Sequence, residues 1–143
     1  MRRLLSVPII LCTLPSCISF IAHDEQLAAK TATQFAQAAF VDRDNARAYG
    51  LITPEFAKAF SREKLAEEIA KAHPKTYPTR VAATEFEPIS GQKRMWIYVK
   101  GTGEGEEFYY RLAMDGDAKA GYKVGGLFRS SGPYPPSRRM TLK

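Results

Sequence analysis

The chain changes its hydrophobic period once, near Thr79. Before that point apolar residues recur at helical spacing; after it the period becomes two. From Asp24 to about Ala72, Ala28, Ala32, Phe35 and Ala39 fall on one buried face, with Leu27, Thr31 and Phe40 beside it. Asp24 is a suitable N-cap. Asp42-Arg43-Asp44 breaks this helix, and Asn45 to Tyr49 can form a further turn. Thr53-Pro54 restarts it with a hydroxyl cap and proline at the first helical position. Phe56 and Phe60 follow on one face. Ser61 caps a helix carrying Leu65, Ala66, Ile69 and Ala70, which His73-Pro74 ends.

Beyond Thr79 four strands are predicted: Arg80 to Phe86, Arg94 to Lys100, Glu107 to Met114, and Tyr122 to Arg129. Short glycine-bearing loops join them, which implies an antiparallel meander. Helices first and strands second is an α+β order, with helices on one sheet face. A register with Lys100 opposite Glu107 pairs Val99 with Phe108, Ile97 with Tyr110 and Met95 with Leu112 on an apolar face. Tyr98 then meets Tyr109, and Trp96 meets Arg111, on the other. Continuing with Met114 opposite Tyr122 puts Leu112 against Val124, Phe108 against Phe128, and Glu107 against Arg129. A slip of one residue would mix the two faces.

The start of the chain is read as an address. Met1-Arg2-Arg3, the apolar run from Leu4 and Leu14-Pro15-Ser16-Cys17 form an export signal. The last four residues resemble a bacterial lipobox, in which the cysteine becomes the lipid-bearing first residue. Pro15 departs from the usual small residue. An uncleaved anchor from Leu4 to Ala22 has the length of a membrane helix, but Pro8 and Pro15 would interrupt it. Residues 1–16 are thus expected to be a signal peptide, 17–23 a lipidated Cys17 with a tether, 24–130 the folded domain, and 131–143 a loose proline-rich basic tail. The resemblance implies export and a lipid anchor, at the outer membrane facing the periplasm if the host is Gram-negative, since Ile18 is not the aspartate that retains some lipoproteins at the inner membrane.

Without the leader, roughly 127 residues remain, the size of one domain. Neither Cys12 nor Cys17 is then available for a disulfide scaffold or a cysteine metal site. The formal charge of +6 is concentrated in the leader and tail. The body is nearly balanced, so a nucleic-acid partner is not expected.

The element order, the helix-break-helix run from Phe35 to Phe60, and Phe108-Tyr109-Tyr110-Arg111-Leu112 followed by Gly121-Tyr122-Lys123-Val124 resemble the nuclear-transport-factor-two-like superfamily. That resemblance implies a cone-shaped roll whose curved sheet is wrapped by helices. The superfamily includes isomerases, dehydratases, transport adaptors, secretion-system subunits and small lipoproteins, so the fold leaves activity open.

General acid-base chemistry needs a group that titrates near the working pH. His23 lies in the tether, and His73 suits a structural role at a helix end. The strands contain no His and no Asp within their predicted bounds, and no metal cluster, nucleophile elbow or phosphate loop is present. No cofactor and no catalytic residue are assigned. The predicted outer face gathers Trp96, Tyr98, Tyr109 and Leu127 with Arg111, Lys123 and Arg129, a composition of protein interfaces. The tail or a loop could instead cover it. The leading expectation is a non-catalytic envelope lipoprotein that binds a partner protein, or a second copy of itself, through Trp96, Tyr98, Tyr109, Arg111, Leu127 and Arg129. The alternative is a small-ligand binder or an isomerase- or dehydratase-like enzyme using a cone interior near Phe35, Tyr49, Phe56, Tyr110 and Tyr122. A filled interior argues for the first, and an open pocket of roughly 300 Å³ or more with convergent polar groups for the second.

Overall fold

Each helix begins where a side chain can satisfy its first free N–H groups. The computed structural model describes residues 20–143, and in it Asp24, Asp44, Thr53 and Ser61 each accept a backbone hydrogen bond three residues on. They start α1 (Glu25–Ala36), α2 (Asn45–Tyr49), α3 (Pro54–Ala59) and α4 (Arg62–Ala72). Helix α1 does not stop at Ala36. It widens into a π turn over Gln37–Val41 before Asp42 and Arg43, the latter at φ 53°. The wider turn places Phe40 in the core with its ring stacked 4.3 Å from that of Tyr110.

The fold class is α+β. The strands β1 (Arg80–Pro88), β2 (Arg94–Gly103), β3 (Glu106–Asp117), β4 (Gly121–Ser130) and β5 (Met140–Thr141) form one curved, open antiparallel sheet in the order β4-β3-β2-β1-β5. Five strands replace the expected four, because the end of the tail returns to pair Met140 with Phe86 and Thr141 with Glu85. The tail is therefore not loose. Residues 131–143 belong to the fold, and the domain runs past 130.

The helices cover one sheet face. Phe35, Met95, Ile97, Phe108, Leu112, Met114 and Val124 are buried there, as the alternation predicts for β2 and β3. The pairing of β2 with β3 is displaced by two residues. Lys100 opposes Tyr109, Ile97 opposes Leu112, and Trp96 opposes Ala113. A two-residue turn at Glu104-Gly105 causes this, with φ at 49° and 77°. Both central residues at positive φ is the twist-matched hairpin turn, and glycine takes it without a steric cost. A slip of two keeps every side chain on its face, so the apolar layer survives the error.

Strand β4 is different. Its register shifts at a bulge opposite Ala113 and Met114, where Gly125 and Gly126 follow each other. One extra residue reverses the faces beyond it. Leu127 and Arg129 turn to the helix side, and Phe128, expected in the core, turns outward at 46% exposed.

Candidate functional site

Trp96, Tyr98, Tyr109 and Arg111 share the outer face by strand alternation. Leu127 and Arg129 do not join them, for the reason just given, and Phe128 takes their place. The Arg111 guanidinium lies 4.4 Å from the Trp96 ring, and 5.3 Å from each of the Phe128 and Tyr134 rings. Trp96 and Phe128 meet edge to face at 5.7 Å. Arg111 Nε is buried without a hydrogen-bond partner, so the guanidinium is held by ring faces.

Much of this face is occupied by the chain's own tail. The Tyr134 hydroxyl donates to the Phe128 carbonyl, and its ring packs 5.5 Å from that of Tyr98. Arg139 lies 4.8 Å over the Tyr98 ring and pairs with Glu85 at 3.2 Å. Ser137 and Tyr98 both donate to Glu87. Tyr98 is consequently 5% exposed. Tyr109 lies further along, where it donates to Glu107 beside Lys100.

The residues expected in a cone interior do not converge. Phe35 is wholly enclosed, while Phe56 and Tyr49 pack at the helix side, the Tyr49 hydroxyl donating to the Ala57 carbonyl. Tyr122 is beside the segment that enters α1. Its hydroxyl accepts from the Asp24 amide at 2.9 Å and bonds His23 Nδ1 at 3.2 Å. The Ala118 amide donates to the Ala22 carbonyl. Ala22, His23 and Asp24 are thus fixed against Tyr122 and the β3–β4 turn, while Cys17 lies outside the described residues.

Of the five, Tyr110 lines the cleft described next. Its hydroxyl is 2.7 Å from His73 Nε2, while His73 Nδ1 is 2.7 Å from the Ile69 carbonyl. A carbonyl can only accept, so Nδ1 carries the proton and Nε2 accepts from the tyrosine. His73 is 5% exposed, stacked 4.5 Å from Tyr77. Burial pushes its pKa down; the Ile69 bond opposes this, and the Arg129 charge adds to it. Burial raises the Tyr110 phenol well above its ordinary value. The pair therefore stays neutral near pH 7.

Beside the pair is a cleft of about 620 Å³ between the end of α4 and the end of β4. Phe40, Tyr110, His73, Leu127, Arg129 and Ser130 are on its wall. The Arg129 guanidinium lies 5.1 Å from the Phe108 ring. Among the described residues no carboxylate is within ion-pair distance of it. Leu127 and Arg129 are wall residues that sequence reasoning placed on the opposite face, and Phe40 and Ser130 are wall residues it assigned to no site. Gly125-Gly126 inside a strand was the available signal for Arg129, since such a pair marks a bulge.

Among the described residues no cluster of His, Cys, Asp and Glu could hold a metal ion, and no helix is long and apolar enough to cross a membrane. Searches against protein-family models, curated proteins and solved structures found no match.

Proposed function

We propose that this chain is an exported, lipid-anchored protein of nuclear-transport-factor-two-like type that holds a small ligand in the α4–β4 cleft without transforming it. The observation that carries this reading is the cleft itself. Its roughly 620 Å³ lies within the usual range for small-molecule sites, and apolar walls meet a few polar groups there. Binding is favoured over catalysis because both ring nitrogens of His73 are committed to Ile69 and Tyr110. Neither is free to take a substrate proton.

The anchor rests on Leu14 to Cys17, and the fixed tether is consistent with it. The tether meets the fold at Tyr122, near the start of β4, while the cleft is at Arg129 and Ser130, near its end. A strand rises about 3.3 Å per residue, which separates the two by roughly 25 Å. The cleft is then at the end of the sheet away from the tether.

The test is ligand-observed NMR with a mixture of small fragments on the full-length protein in detergent, beside Leu127→Trp, which fills the cleft. Fragments should bind the wild type and lose their signals in a folded Leu127→Trp. Equal binding by both would remove the cleft as the site.

A second reading, contact with another protein, is favoured by Phe128, which stays 46% exposed beside Trp96. Phe128→Ala should then reduce capture of a partner from detergent-solubilised envelopes or reduce self-association in light scattering. Unchanged association in both assays sinks that reading.

A further inference from the structure

The charges on the cleft wall itself do not cancel. Glu68 and Lys71 are both on its wall and pair with each other at 2.8 Å. Glu106, whose charge raises the Tyr110 phenol, is exposed, off the cleft wall, and accepts from the Thr76 hydroxyl. His73 and Tyr110 are neutral. Arg129 remains, a permanent cation half-buried against Phe108 with no carboxylate partner among the described residues. A cation taken partly out of water and left unpaired is unfavourable unless something else supplies the charge.

Ser130 follows Arg129 on the strand and opposes Tyr109, so alternation turns its side chain to the outer face, where its Oγ accepts from the Gly132 amide at 3.3 Å. Arg129 thus offers its donors at one end of a cleft whose walls also include Phe40, Leu127, the Tyr110–His73 pair and the Glu68–Lys71 pair. Resting on the cleft being a ligand site, we infer that its ligand is an amphipathic monoanion: a carboxylate or phosphate ester with a compact apolar or aromatic body. The anionic group is held by the Arg129 fork, and the body lies on Phe40 and Leu127. Guanidinium is the side chain suited to such a group, because it meets two oxygens at once.

The experiment is calorimetric titration of the full-length protein in a non-ionic detergent with phenylacetate, phenyl phosphate and the neutral isostere phenylacetamide. At least one anion should bind tenfold or more tightly than the amide. Arg129→Gln should weaken that anion tenfold or more, as expected for a charge-assisted contact, and leave the amide within twofold. Arg129→Lys keeps the charge without the fork and should weaken the anion several-fold. It is read instead if Arg129→Gln does not unfold cooperatively. An amide that binds as well as both anions overturns the inference, as does anion affinity unchanged in the Arg129 variants. If the amide binds and Leu127→Trp abolishes that binding, the cleft stands and the anion assignment alone falls. If none of the three binds, both fall.

Discussion

His73 shows how much one side chain can be asked to do. It ends α4, stacks on Tyr77, and joins α4 to β3 through Tyr110. Its place before Pro74 predicted a structural histidine; its bond to Tyr110 across the core was not readable from spacing. The neutral ring has a consequence for acid stability. The folded-state pKa lies below the ordinary 6.5, so the unfolded chain binds the proton more readily. Stability is full above about pH 6.5 and falls as pH drops below it toward the folded-state value. His73→Gln should flatten that fall. The check is urea unfolding at pH 7.5 and 5.5 for both proteins, a window about one unit or more above the midpoints of ordinary carboxylates. A variant that loses as much stability as the wild type over that window would show that His73 is not the group responsible.

At the scale of elements, the tail has the largest effect on the outer face. Gly132-Pro133-Tyr134-Pro135-Pro136 reads as irregular chain, and it is irregular, but irregular is not loose. Tyr134 and Arg139 dock on Tyr98, Arg111 and Glu85, and β5 pairs with the edge of β1. Individual contacts of this kind contribute only about 0.5–1 kcal/mol at exposed sites. Deleting residues 133–143 should therefore cost about 2–4 kcal/mol in all, leave far-UV circular dichroism nearly unchanged, and increase Trp96 quenching by acrylamide. Unfolding of the whole domain on deletion would mean the tail is part of its core. Unaltered quenching would mean that it does not cover the face.

At the scale of the whole molecule, the segment entering α1 and the cleft are at opposite ends of one sheet. Ala22, His23 and Asp24 are bonded to Ala118, Gln92 and Tyr122. Cys17, the proposed lipid site, is close in sequence to these bonded residues. Cys17→Ser should abolish fatty-acid labelling and release the domain from the membrane fraction. A single acyl chain anchors only marginally, while two hold firmly. A wild-type protein recovered wholly soluble from its own host would refute the anchor. A Cys17→Ser protein still sedimenting with membranes would favour the uncleaved segment from Leu4.

What was legible before any coordinates followed from local chemistry. Caps at Asp24, Thr53 and Ser61, the change of period near Thr79, and the assignment of β2 and β3 side chains to two faces need only neighbours in the chain. The burial of Ile97, Phe108 and Leu112 follows from them. Alternation is blind to a slip of two residues, so the β2–β3 register waited on the Glu104-Gly105 turn. It is equally blind to a bulge, and one bulge moved Leu127 and Arg129 to the helix side and Phe128 outward. The pairing of His73 with Tyr110, the return of Tyr134 and Arg139, and the cleft between α4 and β4 join residues far apart in sequence. Their energies depend on distance and burial in three dimensions, which no local pattern encodes. The class of fold was therefore written in the order and period of the residues, and the position of the candidate site was decided by the tertiary structure.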